Sequence, residues 1–204
     1  MNRDCEPNLD VRDGVAAAEL IAAFREIMPE STDYLLADEM FRGSETPLTM
    51  NGPWAVSRIE EDGIDWGVAP IPTFSATGND PAPYVDPFVW MVTESAQERG
   101  VADAAWDLIQ FLASAESQRY LAQERYMIPT VRAAAEEGWF DGMKELAVFY
   151  AQAEHGVPMP PRTCSPTVFA ELSNMLREIW EGADPSQAVA DTQRILEEAV
   201  TGEK

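Results

Sequence analysis

Apolar residues recur along this chain mostly at helical spacing. Val15, Ala18, Leu20, Ile21 and Phe24 fall on one side of a 3.6-residue period, which predicts a helix from about Gly14 to Ile27, capped by Asp13 and stopped by Pro29. Leu36, Met40 and Phe41 predict a second helix over about 33–42, begun at Ser31 or Thr32 and ended at Gly43. Over 100–113, Val101, Ala104, Ala105, Leu108, Ile109 and Leu112 form one apolar side. Ser114 is a cap for the next helix, to about Gln123, with Glu116 in its first turn, where a negative charge suits the helix dipole. Further helices are predicted over 140–153 and 167–180, the latter carrying Phe169, Leu172, Leu176, Ile179 and Trp180 on one face. Asp184-Pro185 opens a last helix with Val189, Ile195, Leu196 and Ala199 facing inward.

Three runs read as strands instead: Leu48–Met50, Ile64–Ile71 and Val85–Thr93. The third is almost wholly apolar and reads as buried, its regular part starting at Phe88 because Pro87 cannot join a ladder. Pro70-Ile71-Pro72 gives a stiff extended segment that reads as a connection between lobes, and Met127-Ile128-Pro129-Thr130 as another crossing. Residues 75–83 and 157–166 are loops by their glycine and proline content.

Composition narrows the function. The chain has 204 residues, 46% of them hydrophobic, enough for one large domain or two small ones with real cores. Its net charge of −22, spread along the sequence, sets it against nucleic acid and anionic membranes as partners. Arginine far outnumbers lysine, which occurs only at 144 and 204. A dispersed acidic surface of this kind suits a protein that stays soluble in high salt, so a halophilic source is expected. Cys5 and Cys164 have no metal spacing, and no bridge between them is expected; His155 is the single histidine, so a site needing two is excluded. No apolar run is long enough to span a membrane, and residues 1–5 have no apolar core of a signal peptide. Carboxylate neighbours such as Glu60/Glu61 and Glu136/Glu137 read as solvated faces, and nothing singles out the pair a glycosidase needs, so no enzyme and no cofactor is expected.

Met50-Asn51-Gly52-Pro53-Trp54 carries the clearest chemistry. Asn51 suits an N-cap, Pro53 the first turn, and Gly52 a close approach to the backbone. Trp54 then begins a short helix to Glu61. Orphan backbone N–H groups beside a flat indole suit a sugar, with its hydroxyls and its apolar C–H face. The same residues also fit a core tryptophan beside an ordinary cap, and local chemistry leaves both readings open.

The string Ala37-Asp38-Glu39-Met40-Phe41-Arg42-Gly43, followed by Thr46-Pro47-Leu48-Thr49-Met50-Asn51-Gly52-Pro53-Trp54, resembles extracellular solute-binding proteins of the maltose-binding type. Gly67 to Thr73 and the helix pair from Ala104 to Tyr120 extend the resemblance over nearly the whole chain from Leu9. It implies an α/β, two-lobed flytrap fold of which this chain holds the C-terminal portion: a helix-rich lobe plus an excursion into the other lobe, with the first-lobe sheet largely absent. Residues 1–70 and 128–204 would form the C-terminal, helix-rich lobe, and 71–127 the hinge crossing and the excursion into the N-terminal lobe. The implied function is capture of a sugar such as maltose or trehalose for an ATP-driven importer, outside the cell, with the permease subunits and the N-terminal half as partners. Trp54 matches the family's stacking tryptophan, and Phe169 falls at a second stacking position, though its place on the apolar stripe of its helix favours a core role. Ala170 and Ser173 depart from the family's aromatic and arginine at those positions. Asp86 would face the cleft, where a carboxylate takes two hydroxyls, or stand as a solvated acid. A non-sugar ligand on the same fold (a polyamine or a metal chelate) and a chain that binds nothing alone, with Phe88, Trp90 and Leu108 exposed, are the other readings.

Overall fold

The computed structural model describes residues 7–9, 12–29, 33–75, 78–159 and 165–202. The helices are α1 (Arg12–Phe24), α2 (Tyr34–Arg42), α3 (Val56–Glu61), α4 (Glu94–Glu98), α5 (Ala102–Leu112), α6 (Ala115–Arg125), α7 (Lys144–Glu154), α8 (Ser165–Glu181) and α9 (Pro185–Gly202). Two 3-10 turns, Pro53–Ala55 and Arg132–Ala135, and two short strands, β1 (Tyr84–Val85) and β2 (Val157–Pro158), complete the regular structure of the described residues. The chain divides into two compact units, one of residues 1–33 with 159–204, the other of residues 34–158. Both cysteines, and the Ser31 or Thr32 start expected for α2, lie outside the described residues.

The first unit is built on α1, α8 and α9. Ala18, Met175, Ile179, Ala188 and Val189 form its buried centre, with Leu9, Val15, Ile21 and Leu172 packed round it. Helical periodicity produced these contacts, because each helix turns one apolar stripe inward. Asp184 caps α9, its Oδ1 accepting the Gln187 N–H at 2.9 Å. Asp13 proves to be inside α1 rather than before it, and α1 ends at Phe24, where the amides of Ile27 and Met28 fold back onto the Phe24 carbonyl. Ile195, expected inside, is exposed.

The second unit has its apolar centre at Ala122, Met143 and Leu146, flanked by Tyr126, Ile128, Phe140 and Phe149. Ser114 caps α6 as expected, accepting the Ser117 N–H at 3.2 Å. Helix α7 starts at Lys144 rather than at Phe140. Gln152 on α7 holds two loop segments, accepting the Ile71 N–H at 3.0 Å and donating to the Pro81 carbonyl at 3.1 Å. Gln118 on α6 likewise accepts the Thr130 N–H at 2.7 Å. Both proline-marked segments are thus tied to helices by glutamine side chains.

The strand expectations fail. Leu48–Met50 and Ile64–Ile71 run without ladder partners among the described residues, and of the third run only Val85 pairs, as the second residue of β1, which lies parallel to Val157–Pro158. The β1–β2 approach is close: a Cβ on Gly156 would lie 2.1 Å from Val85 Cγ2. Residues 86–91, expected to be buried, are exposed, Phe88 at 92%. A strand forms only where another supplies the matching donors and acceptors, and no described strand lies beside 86–93. Helix α5 shows the same departure, since no residue of it is fully buried and Leu108 is exposed. Helix α4 was not foreseen; Thr93 caps it, its side-chain oxygen accepting the Ala96 N–H at 3.3 Å.

Candidate functional site

Helix α2 and the Asn51–Trp54 string come together through side chains four residues apart. Tyr34, Asp38 and Arg42 lie at i, i+4 and i+8, so one polar row runs along the helix. Asp38 is the buried residue of α2, 5% exposed. A buried carboxylate must be paired, and this one receives Asn51 Nδ2 at 3.1 Å, Arg42 Nη1 at 3.5 Å and Arg58 Nη1 at 3.7 Å. Arg42 also forks onto Asp62 through Nε and through Nη2, the latter at 3.2 Å. That fork holds the Asp62 carboxyl below its usual value and raises the guanidinium.

Asn51 was expected to cap the helix after it, and it does not. Gly52 is the N-cap, and no side chain caps the turn. Asn51 Oδ1 instead accepts the N–H of the next residue, Gly52, at 2.9 Å and the Tyr34 hydroxyl at 3.2 Å. The Tyr34 oxygen in turn accepts Trp54 Nε1–H at 2.9 Å. Gly52 is needed for a close approach, as read from the sequence, but the approaching group is the ring of Trp54 itself. A Cβ at Gly52 would stand 2.3 Å from both Cη2 and Cζ3 of that indole. Trp54 is 66% exposed, so it is not a core tryptophan. The core positions of this turn are Ala55, Val56 and Ile59.

Gly52 therefore meets both Asn51 and the Trp54 ring, and Asn51 is joined to Trp54 through the Tyr34 hydroxyl. Asp86 lies in the same unit, exposed just beyond β1, and Phe169 is half-buried on α8 of the other unit. Sequence reasoning missed Tyr34 and Asp38; the polar row at four-residue spacing on an otherwise amphipathic helix was the signal that marks them.

A shallow hollow of about 460 Å³ lies between α3 and α6, lined mainly by Glu60, Glu61, Gln123, Glu124 and Tyr126. Tyr126 closes α6 in the left-handed region, at φ 52, and donates its hydroxyl to Glu60. Burial first, then the Glu60 bond and charge, push its phenol well above the usual range. Among the described residues no group of three His, Cys, Asp or Glu side chains is placed to hold a metal, and no helix is long and apolar enough to cross a membrane.

Comparison with known proteins gives this geometry its setting. The chain is 25% identical over 197 residues to a maltotriose-binding protein of Pyrococcus abyssi, covering 94% of this chain and 42% of that protein. It is 23% identical over 168 residues to a maltooligosaccharide ABC transporter solute-binding lipoprotein of Streptococcus pneumoniae, covering 81% and 38%. A maltose/maltodextrin-binding domain from Bdellovibrio bacteriovorus, solved with maltotriose, superimposes with a TM-score of 0.76 at 24% identity, over 96% of this chain and 52% of that one. The maltose-maltodextrin binding protein of Alicyclobacillus acidocaldarius gives 0.76 at 25% identity, over 93% and 51%. The fold is that of the periplasmic binding proteins, helix-rich here, and the chain spans about half the length of the relatives it matches. The family model for bacterial extracellular solute-binding proteins matches residues 7–148, and the chain belongs to that family.

Proposed function

We propose that this chain is the greater part of the sugar-contacting lobe of a solute-binding protein that delivers a maltooligosaccharide to the permease of an ABC importer, outside the cell or in the periplasm. One observation carries the reading: an indole left 66% exposed yet anchored through its N–H. A solvated tryptophan held in one place presents a flat apolar face to the C–H face of a sugar ring. The names of the Pyrococcus and Streptococcus relatives, which bind maltotriose and maltooligosaccharides, support the ligand class. Asn51 and Gly52 then act beneath the plate rather than on the sugar. Asp86 and Phe169 stay candidates for hydroxyl bonding and for a second stack.

The proposed organisation has residues 1–70 and 128–204 in one lobe and 71–127 reaching into the other. Supporting it are the two proline-marked segments, each tied to a helix by Gln152 or Gln118. The remainder of a longer binding protein is the proposed cover for Phe88 and Trp90, since the matched relatives are about twice this length.

Calorimetric titration with maltotriose, maltose and trehalose tests the function. Trp54→Ala is expected to weaken binding by about 1–3 kcal/mol, the usual loss for a central aromatic anchor. Unchanged affinity in that variant removes Trp54 from the site. Binding of a cationic ligand that weakens with salt, with no response to sugars, overturns the carbohydrate assignment.

A further inference from the structure

We propose that Asp38, Asn51 and Tyr34 are positioning residues that lock the plane of the Trp54 indole before any ligand arrives. The proposal rests on the reading of Trp54 as a stacking plate and adds what holds that plate still.

The direction of every hydrogen bond in the chain is fixed from its buried end. The Asp38 carboxylate can only accept, so the Asn51 atom 3.1 Å away is the amide nitrogen. The amide oxygen must then face the other way, where the Gly52 N–H meets it at 2.9 Å. The same oxygen takes the Tyr34 hydroxyl proton at 3.2 Å. With that proton committed, the Tyr34 oxygen is left as an acceptor, and Trp54 Nε1–H donates to it at 2.9 Å. The chain therefore runs one way, from indole through phenol and amide to a carboxylate. That carboxylate is fixed in turn by Arg42 and Arg58. Bonds aligned in one direction and ending on a charge reinforce one another.

Packing closes the other degree of freedom. The six-membered ring of Trp54 fills the space above Gly52 that a Cβ would need, 2.3 Å from Cη2 and Cζ3. Glycine beneath and hydrogen bond at the edge together leave the indole one orientation with its outer side in solvent. Two consequences follow for the ligand. The indole N–H is already spent, so the ring offers its face and not a donor. The ring's rotational freedom is lost on folding rather than on binding, which for one rotamer-rich side chain corresponds to roughly 2- to 13-fold in affinity.

Indole resonances of the ¹⁵N-labelled chain test this directly. Trp54→Phe identifies the Trp54 signal among those of the six tryptophans. Tyr34→Phe keeps the ring and removes only the hydroxyl. It is expected to shift the Trp54 indole signal and speed its exchange with water, while the other indoles stay put. Asp38→Asn, which does not touch the indole, is expected to move the same signal, and the amide spectrum of each variant reports whether it has folded. In the maltotriose titration, Tyr34→Phe is expected to weaken binding by roughly 2- to 13-fold. An unmoved Trp54 signal in Tyr34→Phe overturns the proposal, whatever happens to affinity, because the Tyr34 hydroxyl would then not hold the indole. If Trp54→Ala leaves maltotriose binding intact, the stacking reading falls, while the indole spectra still decide whether the lock exists.

Discussion

Gly52 and Trp54 separate a structural effect from a positional one. A methyl at position 52 would collide with ring carbons at 2.3 Å. The obstacle is the far end of a side chain in solvent, so the indole can swing away at little cost to folding. Gly52→Ala is thus expected to unfold at nearly the parent's urea midpoint and yet lose maltotriose affinity as Trp54→Ala does. Retained affinity would show that the ring's place above Gly52 is immaterial. Tyr126 allows a second check at this scale. Burial and the Glu60 carboxylate favour its protonated form, so its folded value lies above the unfolded 10.0. The sign follows: this group's stabilisation is complete below pH 10.0 and declines only as pH climbs toward the higher folded value. Tyr126→Phe should therefore leave the tyrosinate absorbance reached by pH 10.0 unchanged. A smaller absorbance in the variant would show that Tyr126 has ionised by that pH. What was legible at this scale was contiguous: Asn51, Gly52 and Trp54 stand in one string. Tyr34 and Asp38 reach Trp54 and Asn51 from 20 and 13 positions away, and such pairings are set by the fold rather than by spacing.

Among elements, the helices could be read because their determinants are local. Ser114, Asp184 and the stripe of α8 each act within a few residues of themselves. The runs around Leu48, Ile64 and Phe88 could not be read, because a strand is a property of two segments, and apolar sequence supplies only one. The stripe itself also overstates burial. Leu176 and Ile179 both belong to it, yet Ile179 is 0% exposed and Leu176 is 38% exposed. Ile179→Ala is expected to cost about 2–5 kcal/mol, as deletion of a fully buried branched side chain does. Leu176→Ala should cost less than half of that. Urea denaturation of both variants measures the difference. Equal losses would mean that α8 packs against α1 and α9 through another face.

At the scale of the whole chain, charge and apolar exposure pull in opposite directions. Acids exceed bases by twenty-two, so even complete pairing of every arginine and lysine leaves most carboxylates facing only one another. Their repulsion reaches about 8 Å at physiological ionic strength and about 3 Å at 1 M. Raising salt therefore relieves strain within the folded chain and, equally, removes the barrier that keeps copies apart. Phe88, Val89, Trp90 and Met91 are then free to associate, since this exposed run is larger than scattered surface hydrophobics. The two effects can be measured apart. Urea unfolding in dilute solution is expected to move to a higher midpoint between low salt and molar KCl. Light scattering in molar KCl is expected to rise with protein concentration, and to fall back when Phe88 and Trp90 are changed to serine. An unchanged midpoint would mean that the acidic surface carries little net repulsion in the folded state, and the expected adaptation to high salt would be lost. A midpoint that rises only together with scattering would assign the gain to association through residues 88–91 instead of to screening.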